Sequence, residues 1–554
     1  MAMNNNLDTS TSKILIEVEY VEKHIEENQN NNTVKVKKNI FGNPYLFLVS
    51  FIASFGGILF GCNQGVIAGV QEIESFKERF SMTPIENGFV VSILELGAWA
   101  GTYIFGFLAD KISRKYSIGF ATLVFLIGSA IQGAAQVVSH LLIGRFIGGL
   151  GVGGVSAVIP TYLSELAPPE IRGSIMAINF FFVNFGVAIS FWIDFGASYI
   201  ESEAAWRLPL YLQLVFGAII LCGIFFLPFS PRWLMTKERE EEALLVLSRL
   251  RHTTVHDPAM ISEWKDIKAA VLFDKQLDQN YLNNNSSNKS DNNNNRDPEG
   301  CLRSMKKVWI SYTYLFRHGM WKCLLIGVIL FFFQQFTGIN AIIYYAPHII
   351  NSLGLKGIQS KLLATGVIGV LAVIMGILSV LWIDKIKRRS ALMIGAAGMG
   401  ASIITIGILS HLFQTSWDQH RIEGWVAISM LYVYLFFFGM SWGPVAWVLG
   451  GELFPLRIRA KGVGITASSH WLNNFIIGLI TPPLLATNAA ATYFMFGGFC
   501  FVAIFFVKFF VPETRGRSLD CLDDMEALKV IREQVNEMEL PIDKCMASTE
   551  VKIK

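Results

Sequence analysis

Twelve apolar runs of about twenty residues each constrain this chain more than any other feature. They lie near 46–68, 88–108, 116–136, 141–163, 175–197, 208–228, 323–345, 361–383, 390–412, 425–449, 461–484 and 490–511. A run of that length matches the hydrocarbon thickness of a bilayer, where the backbone must satisfy its own hydrogen bonds, so each reads as a transmembrane helix. Only 16% of the 554 residues are charged, against roughly 25% in soluble domains. The expected fold class is an all-α membrane protein with twelve transmembrane helices in two six-helix halves. The expected layout is a tail at 1–44, a first half at 45–229, a linker at 230–320 with short helices and an Asn-rich disordered insert, a second half at 321–511 and a tail at 512–554. The first run is expected to act as the insertion signal.

Cations orient the chain. Arg114, Lys115, Arg172, the run from Lys385 to Arg389, Arg457, Arg459 and Lys461 fall on the side shared by both tails and the linker. The positive-inside bias makes that side cytoplasmic. The net charge of +3 is explained by this bias and implies no nucleic-acid partner. Seven cysteines lie in spans or on the cytoplasmic side without CxxC spacing, so neither a disulfide framework nor a metal site is expected. Gly149-x-Gly151-x-x-Gly154 matches a dinucleotide fingerprint, yet it lies inside an apolar helix with no preceding strand. The motif's mechanics are absent there, and Gly149-x-x-x-Gly153 reads as a close-packing face. No cofactor is expected, no phosphate-binding loop suggests direct use of ATP, and no nucleophile–base pair suggests an enzyme.

The two halves repeat one another. Asp110-Lys111-x-x-Arg114-Lys115 follows the second run, and Asp384-Lys385-x-x-Arg388-Arg389 follows the eighth. Glu165 precedes Arg172 by seven residues after the fourth run, as Glu452 precedes Arg459 after the tenth. Pro228-Phe229-Ser230-Pro231-Arg232 and Pro512-Glu513-Thr514-Arg515-Gly516 close the sixth and twelfth. Such duplication places a substrate near the bilayer midplane, between halves that rock against one another. The expectation is a cytoplasmic gate in which Asp110, Arg114, Lys115, Glu165 and Arg172 of one half pair with Asp384, Arg388, Arg389, Glu452 and Arg459 of the other when that side is shut. A partly exposed pair contributes about 0–1 kcal/mol, which suits two states of similar energy.

The seventh run ends in Gln334-Gln335-Phe336-Thr337-Gly338-Ile339-Asn340 and continues to Tyr344-Tyr345. Amides in an apolar setting must find partners, so three in seven residues point either to a binding site or to hydrogen bonds between helices. On a straight helix the polar side chains would spread over roughly 220°, too wide for one cavity. A break near Gly338 would turn both segments toward the same space. A carboxamide donates and accepts without charge, as a sugar hydroxyl does, so Gln334, Gln335, Asn340 and Tyr344 read as candidate ligands for a neutral polyol.

Seven motifs in order now carry a resemblance: Gly106 to Lys115, Arg145-x-x-Gly148-Gly149-x-Gly151-x-Gly153, Pro160-x-Tyr162 to Arg172-Gly173, Ser230-Pro231-Arg232-Trp233-Leu234, Gln334 to Tyr345, Gly443-Pro444-x-x-Trp447 and Pro512-Glu513-Thr514-x-Gly516. Over residues 45–520 the chain resembles the sugar porter family of the major facilitator superfamily. Ile93-Leu94-Glu95-Leu96-Gly97 is similar to hexose transporters of fungi and other microbial eukaryotes. The resemblance implies that Gln334, Gln335 and Asn340 bind sugar hydroxyls and that Trp447 stacks on the sugar ring; His470 and Asn63 complete the candidate substrate-binding residues. Departures stand beside it. Phe180, with Asn179 adjacent, takes the place of a common Gln; Ala372 replaces a polar residue; His470 replaces an Asn or Gln before Trp471.

Proton-coupled relatives carry an acid where this chain has Asn63, which cannot titrate, although Arg145, the family partner of that acid, remains. Facilitated diffusion of a hexose through the plasma membrane, with both termini cytoplasmic, is the simpler expectation. The lipid bilayer and a monosaccharide are then the partners. Two alternatives stay open: proton-coupled sugar or polyol symport through Glu95, an acid inside the second run, and a non-transporting sugar sensor of the same fold.

Overall fold

The computed structural model describes residues 43–168, 171–286, 320–355, 357–383, 385–414, 416–454, 459–514, 531 and 534–535. All of the described regular structure is helical. In chain order the helices are α1 (Pro44–Val70), α2 (Glu74–Arg79), α3 (Pro84–Lys111), α4 (Arg114–Gly133), α5 (Val138–Leu166), α6 (Arg172–Ala197) and α7 (Ala204–Ile224). Three helices on the linker follow, α8 (Pro231–Thr236), α9 (Glu240–Arg251) and α10 (Pro258–Ser286). The second half holds α11 (Met320–Phe336), α12 (Ile339–Ser352), α13 (Ile358–Trp382), α14 (Arg388–Phe413), α15 (Arg421–Met440), α16 (Trp442–Glu452) and α17 (Arg459–Phe510).

Local chemistry starts several of these helices. Asn43 caps α1 by accepting from Leu46 N at 3.1 Å, ahead of a proline at the first helical position. Thr83 and Glu86 form a reciprocal capping box on α3, satisfying backbone donors that a helix start leaves unpaired. Among the described residues the apolar stretches long enough to span number eleven, because the last runs unbroken through Lys461–Phe510. At 1.5 Å per residue α17, with 52 residues, would be about 78 Å long, more than twice the hydrocarbon core. It contains two crossings, parted at Asn488, whose φ of −159° and ψ of 101° are non-helical. The twelve expected crossings are therefore present.

One apolar core centres on Phe105, Phe125, Val152 and Leu163 of the first half; the other centres on Phe331, Leu392, Met399 and Leu449 of the second half and reaches Val90, Val91 and Phe191 of the first. Large apolar side chains such as Phe225, 83% exposed, and Ile422, 78% exposed, cover the outside; lipid is the solvent that accepts them. The halves meet along three pairs of helices, α3 with α17, α6 with α13 and α1 with α12. The linker helices pack around Trp233, Leu244, Leu247 and Trp264. They dock on the first half through Arg251 Nη1 to Leu166 O at 2.9 Å and Trp233 Nε1 to Asp110 O at 3.3 Å. α10 runs to Ser286, into the first residues of the Asn-rich run; the rest of that run and the N-terminal tail to residue 42 lie outside the described residues.

Candidate functional site

The break expected near Gly338 is present. α11 stops at Phe336, Gly338 takes φ +97°, and α12 restarts at Ile339. Only glycine adopts that dihedral without strain, and a Cβ there would lie 2.8 Å from the Phe496 ring. The two segments thereby bring Gln334, Gln335 and Asn340 into one buried row. Asn340 Nδ2 donates to Gln335 Oε1 at 2.6 Å, and Gln335 Nε2 lies 2.9 Å from His470 Nδ1. The same Nδ1 lies 3.0 Å from Gln334 Oε1, while Gln334 Nε2 donates to Trp442 O at 2.9 Å. Trp447, 38% exposed, has its ring centroid 5.0 Å from that of His470 and 5.0 Å from that of Phe331. An aromatic wall thus stands beside a row of uncharged donors and acceptors.

One turn further along α12, Tyr344 joins the halves. Its hydroxyl donates to Glu95 Oε1 at 2.5 Å and accepts from Asn474 Nδ2 at 2.9 Å and Gln64 Nε2 at 3.4 Å. Glu95 is 1% exposed, and its Oε2 has no hydrogen-bond partner. Arg145, 2% exposed, donates to Val91 O at 3.0 Å and acts electrostatically on Glu95. The close crossing of α3 and α5 sets this arrangement. A Cβ on Gly149 would lie 2.1 Å from Leu94 O, and one on Gly153 2.1 Å from Ala98 O, so the run that mimics a cofactor fingerprint is the packing face. Asn63 is fully buried and donates to Gln213 Oε1 at 3.2 Å, within the first half.

Among the described residues the acid and base signatures pair within each half; the cross-half pairing expected belongs to the state with the cytoplasmic side shut. Arg114 Nη2 lies 3.0 Å from Glu165 Oε1 and 3.0 Å from Asp110 Oδ1, all in the first half. Ser230 Oγ donates to Glu165 Oε2 at 2.5 Å. In the second half Arg388 Nη2 lies 3.1 Å from Glu452 Oε1, and Thr514 Oγ1 donates to Glu452. The backbone N–H groups of Arg388 and Arg389 donate to Glu513 at 2.9 and 3.2 Å. Each cluster ties the base at the start of one helix to the acid at the end of a neighbouring antiparallel helix, and that acid to a hydroxyl after the last helix of the same half. Lys115 turns instead to Phe225 O at 3.4 Å, and Arg389 donates to Lys508 O. Asp384 and the side chains of Arg172 and Arg459 lie outside the described residues.

The geometry thus joins duplicated halves, a broken helix and a row of uncharged polar groups at the seam. A family model described as sugar (and other) transporter matches residues 49–525. The chain belongs to this sugar transporter family. It is 34% identical to the glucose transporter GlcP of Staphylococcus epidermidis, over 86% of this chain and 96% of that one. It is 32% identical to a probable quinate permease of Aspergillus niger, over 87% of each. Among solved structures it superposes on a proton:xylose symporter of the major facilitator superfamily, XylE bound to 6-bromo-6-deoxy-D-glucose, with a TM-score of 0.67 and 27% identity, over 88% of this chain and 99% of that one. The protein is a multi-pass membrane transporter with the fold of that superfamily.

Several polar groups of this family member were not singled out from the sequence. Asn474 and Gln64 meet at Tyr344; the spacing of Asn474 four residues after His470 places both on one helix face, a signal that was available. Asp194, fully buried in α6 against Gly69, is an intramembrane acid of the kind that marks function. Trp99 Nε1 donates to Ser468 Oγ at 2.6 Å across the halves. On the face opposite the linker, Glu72 Oε2 accepts from Lys77 Nζ at 2.9 Å and from Lys361 Nζ at 3.1 Å. Glu72 and Lys361 lie in opposite halves, and no local pattern pairs them.

Proposed function

We propose that this transporter carries a neutral hexose, glucose-like in size and hydroxyl pattern, across the plasma membrane by alternating access, with the linker and both termini cytoplasmic. The observation that supports it most is the uncharged row of Gln334, Gln335, Asn340 and His470 beside the Trp447 ring. A sugar hydroxyl entering this row exchanges one hydrogen bond for another of the same kind, and an indole face suits the C–H face of a pyranose. The amide row holds no fixed positive charge to neutralise a carboxylate-bearing substrate, while Arg145 is already engaged at Val91 O. That disfavours acids such as quinate. Asn63, an amide bonded to Gln213, carries no titratable proton, which supports equilibration without a driving ion.

Labelled glucose uptake into proteoliposomes, with and without an inward proton gradient, tests the reading. Equal final levels in both support the uniporter; no uptake of any hexose would remove it. A second reading, proton-coupled sugar transport, is favoured by one feature. Glu95 is a buried acid with one oxygen unpartnered and the other bonded to Tyr344 of the opposite half, so its protonation would bear on contact between the halves. Accumulation only with the gradient would select that reading.

A further inference from the structure

The contact around Glu72 has the geometry of a lock. Glu72 follows α1 of the first half, and its side chain is 7% exposed; Lys361, in the first turn of α13 of the second half, has a side chain 11% exposed. Their 3.1 Å ion pair is shielded from water, whereas Lys77, which shares the same carboxylate oxygen at 2.9 Å, has a side chain 53% exposed. His348 of α12 places Nδ1 3.9 Å from the second oxygen, Glu72 Oε1. Three helices therefore converge on the carboxylate in the turn after α1: α2 through Lys77, the start of α13 through Lys361, and α12, the segment beyond the break at Gly338, through His348. Just inside, Ala68, 2% exposed, belongs to an apolar cluster shared with α12. A path from the outer solution to the amide row between α1 and α12 would cross this point.

We infer that Glu72 and Lys361 form an outer latch whose two charges must stay matched for the two access states to remain close in energy. The inference rests on the alternating-access reading above. With the outer side shut, each charge is held by its partner; with it open, each is held by water. A shielded pair gains in attraction roughly what it loses in hydration, so the latch contributes little net preference when intact. Removing one partner is different, because the survivor keeps its buried position in the shut state with nothing to neutralise it. Glu72→Gln strands Lys361. Lys361→Met leaves Glu72 with Lys77, so its effect is smaller. Removing both charges restores a balance close to that of the natural protein.

This ordering is the test. Full-length protein in proteoliposomes carries Ala68→Cys, and labelling by a membrane-impermeant maleimide is compared with the same protein having Ala68, since native cysteines are present. Glu72→Gln is expected to raise the labelling rate about fivefold, a typical coupling of access states, Lys361→Met by less, and the double variant Glu72→Gln/Lys361→Met to bring it back toward the starting rate. Labelling unchanged by Glu72→Gln, or a double variant at the product of the two single effects, overturns the latch. Saturating glucose separates the two claims. If glucose changes the labelling of the Ala68→Cys protein but Glu72→Gln does not, transport by alternating access stands and the latch falls. If neither changes it, the access model itself falls.

Discussion

At His470 one ring nitrogen faces two demands. Nδ1 lies 2.9 Å from Gln335 Nε2, a donor, and 3.0 Å from Gln334 Oε1, an acceptor. In the neutral ring Nδ1 either accepts or donates, so one of these contacts is poor in each tautomer. Asparagine offers a separate oxygen and NH2. His470→Asn is thus expected to lower the KM for hexose about fivefold, the worth of one neutral hydrogen bond; a KM unchanged or raised in initial-rate uptake would show that the histidine is well satisfied. Gln334→Ala removes the donor to Trp442 O and an amide of the row, while His470 Nδ1 keeps its contact with Gln335 Nε2. Losing such a partner costs about 1–3 kcal/mol, so KM should rise at least about fivefold at unchanged surface expression. Unaltered affinity would take Gln334 out of the site.

The element that matters most is the broken helix formed by α11 and α12. A methyl group at Gly338 meets both a left-handed dihedral, φ +97°, and the Phe496 ring at 2.8 Å. The dihedral alone costs about 1–2 kcal/mol. Gly464, in α17, has nothing within 4 Å of its built Cβ and no unusual dihedral, so alanine there is a matched control that stabilises by about 0.5–1 kcal/mol if it acts at all. Thermal unfolding in detergent should therefore fall for Gly338→Ala and not for Gly464→Ala; equal melting would mean that the break is not held by glycine. The turn after α1 gives a pH test. Burial opposes ionisation of Glu72, but the charges and hydrogen bonds of Lys77 and Lys361 outweigh it and hold its carboxyl below the ordinary carboxylate range. A lowered value means that the pair is intact above that range and lost only as pH falls through the lowered value. Maleimide labelling of Ala68→Cys, normalised to the denatured protein, should stay flat from about pH 8 to about pH 5 and rise only in stronger acid. A rise already within that flat range would shift control to His348, the histidine facing the other oxygen of Glu72.

At the scale of the whole molecule, the halves touch through Tyr344 with Glu95, Trp99 with Ser468 and Glu72 with Lys361. If transport is equilibrative, Glu95→Gln keeps the final uptake level and changes only the rate, through the Tyr344 hydrogen bond; loss of gradient-driven accumulation in this variant would instead identify Glu95 as the proton carrier. The crossings, the duplication and the amide row were legible along the chain, because bilayer thickness imposes run length, repeats preserve spacing, and amides contrast with an apolar background. The break at Gly338 was legible too, since the polar arc was too wide for a straight helix. The pairing of Arg114 with Glu165 and of Arg388 with Glu452 inside each half was not, because charge pattern alone does not say which of several neighbouring helix ends approach. Nor could the sequence show that Arg145 would face Glu95 while Asn63 turned to Gln213; that depends on how closely glycine lets α3 and α5 cross. By itself, then, the sequence determined the class of fold, the membrane setting and the polar character of the site, all of which follow from local solvation. Only the tertiary structure decided which charges meet: Glu72 and Lys361 stand 289 residues apart, and their contact exists only once the two halves have closed on one another.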